Sequence, residues 1–137
     1  MTRIDFYQLN PDRHKYDQVV CQLCQKAYDS QKMTLLLTSS PQQSQHLDRH
    51  LWTYSDDSFL PHDAEEVEGF VTPILIHDDP EPGEDRQLLI NLSNNVPTYF
   101  ARFERMIELV TEENKLQARQ RYSYYNERGY PLKHISL

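Results

Sequence analysis

Three side chains near the C-terminus have the chemistry to bind an anion. Lys115, Arg119 and Tyr122 are spaced i, i+4 and i+7, which places them on one face if the segment is helical. Two cations beside an aromatic ring suit a carboxylate or a phosphate, whereas the alternative is an ordinary solvated face with bases towards the helix C-terminus. From Lys115 onward there are five bases and one acid, although the whole chain carries −7. This asymmetry predicts a small cationic site on an anionic body.

The two cysteines, Cys21 and Cys24, have C-x-x-C spacing. A redox pair belongs at a helix N-terminus, where the dipole lowers the thiol pKa. These cysteines fall in the middle of a predicted helix, and Cys24 lies on its apolar face. We therefore expect a structural role for both, and two thiolates are too few for a four-thiolate zinc site.

Histidine provides one helical i, i+4 pair, His46 and His50. A zinc protease motif would need Glu directly after the first His, where this chain has Leu47. The run 77–79, His-Asp-Asp, could supply metal ligands, but its acidic, proline-punctuated setting is typical of a solvent-facing loop. We expect surface histidines and neither a metal nor another cofactor.

The positions of the glycines and serines exclude two further kinds of site. The three glycines, at positions 69, 83 and 129, are too scattered to form a phosphate-binding loop. Ser39, Ser40 and Ser93 lack the flanking glycines of a nucleophile elbow. Spacing alone assembles no set of nucleophile, base and orienting residue.

Composition predicts one folded domain over residues 1–137, because 11% of the residues are aromatic and the chain has 16.3 kDa. No apolar run reaches the roughly 18 residues that cross a bilayer, and the N-terminus has no signal-peptide pattern. We expect a soluble, cytoplasmic protein. Short apolar runs predict four strands: Ile4–Leu9, Met33–Thr38, Thr72–Ile76 and Leu88–Leu92.

Helical periodicity runs from Tyr16 to Tyr28, and Ser39 or Ser40 should cap a helix that has Pro41 in its first turn. A short helix follows Pro97, and 106–110 fits either a helix or a strand. Thr111 should cap the last helix, with an acidic first turn and Leu116, Ala118 and Tyr125 towards the core. Gly129 should end this helix.

Alternating strands and helices predict an α/β fold: one three-layer α/β/α domain with a mostly parallel sheet of about five strands. The topology would be like that of nucleotide-binding proteins, but without a phosphate loop.

The sequence resembles one known family over nearly its whole length. The matching residues are Phe6-Tyr7 with Leu9, Leu47-Asp48 with Leu51-Trp52, Ser58-Phe59 with Pro61-His62, Leu89-Ile90 with Leu92, Lys115 with Ala118-Arg119, Arg121-Tyr122 and Tyr125, and Gly129-Tyr130 with Leu132. Their order and spacing are similar to those of the chi subunit of bacterial DNA polymerase III holoenzyme. The resemblance also favours a strand at 105–110.

The resemblance implies a non-catalytic subunit that pairs with the psi subunit of the clamp loader. It also implies binding to the acidic C-terminal tail of single-stranded-DNA-binding protein, which ends in Asp-Asp-x-Pro-Phe, so that contact with nucleic acid is indirect. The psi-facing region would include Phe59, Pro61 and His62, and Trp52 would line either surface or only the core.

The family's tail-binding positions match at Lys115, Arg119 and Tyr122. This chain departs from the family at Ser123 and Asn126, where some members have a base. Tail binding would then be weaker, or other cations would compensate: Arg121, Arg128, Lys133 or His134.

Two other classes of function remain open from the residues alone. An enzyme acting on a nucleotide or small molecule would need something to hold a charged ligand at the strand ends. A direct binder of single-stranded nucleic acid would need a longer basic groove than a chain of net charge −7 offers.

Overall fold

The computed structural model describes residues 1–53, 62–63, 73–78 and 87–137. Within them the elements are β1 (Arg3–Gln8), α1 (Tyr16–Asp29), β2 (Thr34–Leu37), α2 (Pro41–Thr53), β3 (His62–Asp63), β4 (Ile74–His77), β5 (Leu88–Asn91), a 3₁₀ turn (Phe100–Arg102), β6 (Arg105–Val110), α3 (Lys115–Glu127) and β7 (Leu132–Ser136).

The strands form one sheet in the order β3-β4-β2-β5-β6-β1-β7. Each neighbouring pair is parallel, so the predicted parallel α/β sheet is confirmed. The described residues supply seven strands rather than about five. The two that sequence reasoning did not predict are β3, which has two residues, and β7, an edge strand whose side chains are half-buried or exposed.

Helices cover both faces of the sheet. On one face, α1 and α2 bury residues such as Val20, Cys24 and Leu47 against the sheet. On the other face, α3 and the 3₁₀ turn bury Tyr125 and Phe100. Successive strand residues point to opposite faces, and both faces of β2 are therefore apolar. The three-layer arrangement is confirmed.

The N-terminus of α2 is held by a reciprocal cap. The backbone N–H of Gln43 donates to Ser40 Oγ at 3.2 Å, and the Gln43 side-chain oxygen accepts from the backbone N–H of Ser39 at 2.8 Å. The first bond satisfies an N–H group in the first turn of α2, and the second holds Ser39, the residue before the cap. The predicted cap is confirmed, with Ser40 in the capping role.

The ends of α3 confirm one prediction and correct another. Gly129 follows the helix with a φ of +78°, the left-handed conformation that favours glycine, and so ends it as predicted. Thr111 does not cap it. The Thr111 N–H donates to Asn114 Oδ1 at 2.7 Å and the Asn114 N–H donates to Thr111 Oγ1 at 3.2 Å. These bonds form a separate turn that contains the two acidic residues, and α3 begins only at Lys115.

A buried carboxylate in β6 anchors α3 to the sheet. Oε2 of Glu108 accepts hydrogen bonds from Arg121 Nε at 3.0 Å, Tyr125 Oη at 2.8 Å and Asn91 Nδ2 at 3.1 Å. Burial raises the pKa of Glu108, and the charge of Arg121 opposes that shift. Burial, reinforced by the negative charge of Glu108, also raises the pKa of Tyr125. Tyr125 therefore stays a neutral donor.

We expect Arg121→Met to reduce the free energy of unfolding by about 3–5 kcal/mol, because it leaves Glu108 buried without its cation. The double variant Arg121→Met/Glu108→Leu removes both charges and should cost less than the single one. Urea unfolding of wild type, both single variants and the double variant measures the coupling between the two side chains. If the losses of unfolding free energy in the two single variants simply add in the double variant, the two side chains are not coupled and the pairing is contradicted.

Candidate functional site

The structure has a cavity of about 180 Å³ between α3 and the edge of the sheet formed by β1 and β7. We call it the α3 cavity. Its lining residues come from four elements and are Phe6, Gln8, Val110, Lys115, Ala118, Arg119, Tyr122 and His134.

The floor of the α3 cavity is apolar. The buried ring of Phe6 meets the ring of Tyr122 edge to face, with the centroids 5.1 Å apart. Tyr122 is 37% exposed, so one side of its ring remains open to a ligand. Ala118 is buried beside them, and its small side chain leaves space that a larger residue would fill. The floor can therefore receive an apolar or aromatic group.

The mouth of the α3 cavity is cationic. Lys115 is half-buried and Arg119 is exposed one helical turn later. Neither forms an ion pair with a described residue, and no carboxylate lines the cavity as far as the structure describes it. Both charges are therefore available to an anionic ligand.

The structure thus brings Lys115, Arg119 and Tyr122 together, as their spacing indicated. His134 joins them, because β1 and β7 are paired in a register that sets it opposite Phe6. Ser123 and Asn126 lie on the exposed side of α3 and do not line the cavity.

The other candidate cations do not reach the cavity. Arg121 lies in the core, 4% exposed, with its charge paired to Glu108. The guanidinium of Arg128 stacks 3.4 Å above the ring of Tyr124. Lys133 alternates with His134 along β7, so it points to the opposite face of the sheet.

Leu116 does not face the core. It is 70% exposed, because the buried side of α3 is defined by Ala118, Arg121 and Tyr125. Residues that are two positions apart on a helix differ in direction by about 200°, so Leu116 and Ala118 point in nearly opposite directions.

The structure describes little of the predicted psi-facing residues. Phe59 and Pro61 lie outside the described residues, as does the side chain of Trp52. His62 begins β3, and only its backbone is described.

Sequence reasoning missed three lining residues that come from strands, Phe6, Gln8 and Val110, and named His134 only as a compensating cation. The alternation of Phe6 and Gln8 along a strand was a usable signal, since both then share a face. His134 had no such signal, because β7 was not predicted.

Both cysteines are buried in the middle of α1. Burial raises the pKa of Cys21 to about 11, and it raises the pKa of Cys24 still further. Both thiols are thus protonated at neutral pH, unlike reactive cysteines. These features agree with the structural role predicted for the pair.

The histidine pair lies at the surface of α2, as predicted. Both imidazoles approach Asp17 in α1: the Nε2 of His46 is 2.7 Å and the Nε2 of His50 is 3.4 Å from Asp17 Oδ2. Sequence spacing could not connect them, because Asp17 is on another helix.

Comparison with known proteins identifies the family. The family described as "DNA polymerase III chi subunit, HolC" matches residues 1–133. The chain belongs to this family. It is 36% identical over 135 residues to DNA polymerase III subunit chi of Pseudomonas aeruginosa, covering 96% of this chain and 94% of the relative. The corresponding protein of Escherichia coli K12 is 26% identical over 141 residues, with 96% of each chain covered.

A third relative, DNA polymerase III subunit chi of Haemophilus influenzae, is 30% identical over 120 residues, covering 85% of this chain and 83% of the relative. Membership assigns the chain to DNA replication as a chi subunit of DNA polymerase III, which confirms the resemblance. In the described part of the chain, no helix is long and apolar enough to span a membrane.

We expect neither cysteine to react with a thiol reagent such as DTNB in the folded protein, because burial protects both sulfurs and disfavours the thiolates. In urea both should react. The absorbance of the released thiolate, read when the reaction is complete, gives the number of thiols that reacted. Rapid reaction of the native chain, or formation of a Cys21–Cys24 disulfide under mild oxidation, would contradict a structural role.

Proposed function

We propose that the α3 cavity binds the acidic C-terminal tail of single-stranded-DNA-binding protein. We further propose that the chain connects that protein to the clamp loader through the psi subunit. The observation that carries the proposal is the joint presence, in one small cavity, of an apolar floor and two cations that form no ion pair with a described residue. The tail, by the family resemblance, has the complementary chemistry: two aspartates, a proline and a terminal phenylalanine with a free carboxylate.

The size of the cavity supports this ligand. A cavity of about 150 Å³ in a protein core can hold a benzene ring, and the α3 cavity measures about 180 Å³. One phenyl ring fits this volume, above the floor that Phe6 and Tyr122 form. A ring seated there would meet the exposed side of Tyr122, and aromatic pairs of this kind contribute about 0.5–1.5 kcal/mol beyond area burial.

The two cations have different parts in this proposal. The planar guanidinium of Arg119 can bind a carboxylate through two parallel N–H bonds. Lys115 acts as a mobile point charge and attracts the tail aspartates over a longer range. The chain as a whole is acidic, with a net charge of −7, so the tail is attracted here and repelled over most of the surface.

We propose that the chain acts by binding and carries no active site. The lining of the α3 cavity has no serine, cysteine or carboxylate among the described residues, so it lacks the nucleophile of a serine or cysteine hydrolase. The sequence also lacks a phosphate-binding loop. Contact with single-stranded DNA would then be indirect.

We propose Phe59, Pro61 and His62 for the psi-facing surface. An aromatic side chain next to a rigid proline is a suitable small anchor for a partner. This assignment rests on the family resemblance of 58–62.

The tail proposal is tested by calorimetric titration with a peptide ending in Asp-Asp-Ile-Pro-Phe. We expect Arg119→Ala to cost about 2–4 kcal/mol of binding free energy, since truncation leaves a carboxylate without its partner. Lys115→Ala should cost less and act mainly on the association rate, with a shallower salt dependence. A peptide without the terminal Phe should bind weakly.

Lys133→Ala is the matched control, because it removes one charge from the same edge of the sheet on the opposite face. Its affinity should equal that of wild type. If Arg119→Ala, Lys115→Ala and Tyr122→Ala all bind like wild type, then this face of α3 is only solvated and the proposal fails.

The psi proposal is tested with Phe59→Ala. Loss of the aromatic anchor should weaken psi binding about tenfold or more, while the affinity for the tail peptide should stay unchanged, because separate surfaces act independently. Co-purification and calorimetry measure the two affinities on one preparation. A joint loss of both in a folded variant would refute the two-surface arrangement.

A further inference from the structure

A second polar cluster lies on the face of the sheet opposite the α3 cavity, where α1 meets α2. Asp17 comes from the first turn of α1, and His46 and His50 come from successive turns of α2. The i, i+4 spacing stacks the two imidazoles on one side of α2, with their centroids 4.7 Å apart. Both direct Nε2 towards the same carboxylate oxygen.

The three groups form a convergent set of donor atoms. Oδ2 of Asp17 lies 2.7 Å from His46 Nε2 and 3.4 Å from His50 Nε2, and all three donor atoms are within 4.8 Å of one another. A tetrahedral ion with bonds of about 2.0–2.1 Å holds its ligands about 3.3 Å apart. Small rotations of partly exposed side chains are enough to reach that spacing.

A hydrogen bond alone would need only one of the imidazoles. Surface pairs of this type contribute little to stability, and the side chains of His46 and His50 remain 56% and 44% exposed. The second imidazole at the same oxygen therefore requires a different explanation. A shared cation provides one, because it would bring both nitrogens and the carboxylate into a single coordination sphere.

We propose that Asp17, His46 and His50 bind a divalent cation of the borderline class, such as Zn²⁺, and that the ion cross-links α1 to α2. Two imidazole nitrogens and one carboxylate oxygen favour Zn²⁺, Co²⁺ or Ni²⁺ over the oxygen-seeking Mg²⁺ and Ca²⁺. Three protein ligands leave a fourth position for water, and the partial exposure of the cluster gives that water access.

Cross-linking has a measurable consequence. The ligands come from two helices that pack side by side on the sheet, and the unfolded chain does not hold them together. An ion that binds only the folded state raises its thermal stability in proportion to the logarithm of ion concentration. Zn²⁺ should therefore raise the Tm of the chain.

The experiment uses the full chain without a purification tag, dialysed free of metal at about pH 7.5, because Zn²⁺ binds deprotonated ligands. Calorimetry with Zn²⁺ should give one site per chain, and Co²⁺ should give the intense visible bands of a four-coordinate complex. Asp17→Asn and His50→Gln should each weaken Zn²⁺ binding about tenfold or more and abolish the Tm increase. Mg²⁺ should produce neither effect.

A matched control keeps the number of histidines constant. The double variant His46→Gln/Gln45→His moves one imidazole about 100° around α2, away from Asp17, at a position that is exposed. Without metal, this double variant should have the same Tm as the single variant His46→Gln. Both variants should lose Zn²⁺ binding. Absence of a stoichiometric site in wild type, or equal Zn²⁺ affinity in wild type and this double variant, would overturn the proposal.

Discussion

One buried oxygen atom organises the layer that contains the α3 cavity. Oε2 of Glu108 accepts three hydrogen bonds, and the donors come from β5 and from two positions one turn apart on α3. The hydrogen bonds converge on this one atom, and Oε1 of the same carboxyl group is buried without a hydrogen-bond partner among the described residues. A carboxylate that is 0% exposed is stable only when its charge is compensated. This requirement fixes the distance of α3 from the sheet and also its rotation about its own axis.

The rotation of α3 decides which of its bases reach solvent. With Arg121 and Tyr125 turned towards Glu108, the adjacent Tyr122 is turned about 100° away and meets Phe6. Lys115 and Arg119 then lie on the same side as Tyr122, at the edge formed by β1 and β7. A rotation of α3 by one residue would separate the exposed cations from the apolar floor. The arrangement of the site is therefore a property of the core.

Much of the fold could be predicted from local sequence, for identifiable reasons. The apolar run at β2 indicated a strand covered on both faces. Ser40 and Gln43 both have side chains that can cap the N-terminus of α2. The strand β7 could not be predicted, because it is held by backbone pairing to β1 and its side chains do not alternate between buried and exposed positions.

The site was predictable only in part. Lys115, Arg119 and Tyr122 share a helix face by spacing alone. Arg121 and Arg119, however, are the same residue type two positions apart, and only the distant Glu108 determines which of them is buried. The same limit applies to Asp17, whose approach to His46 depends on how α1 and α2 pack.

The Glu108–Arg121 pair also determines which bases of α3 can act on a ligand. A third exposed base on this face of α3 would repel Lys115 and Arg119, and it would add to their attraction for an anionic ligand. Arg121 is neutralised inside the core instead, so the exposed charge of this helix face is confined to the two bases that line the cavity. The parallel sheet then separates this face from the Asp17 cluster on α1 and α2, since the two helical layers contact opposite faces of the same strands. A ligand in the α3 cavity and an ion at the Asp17 cluster would therefore lie on opposite sides of the sheet.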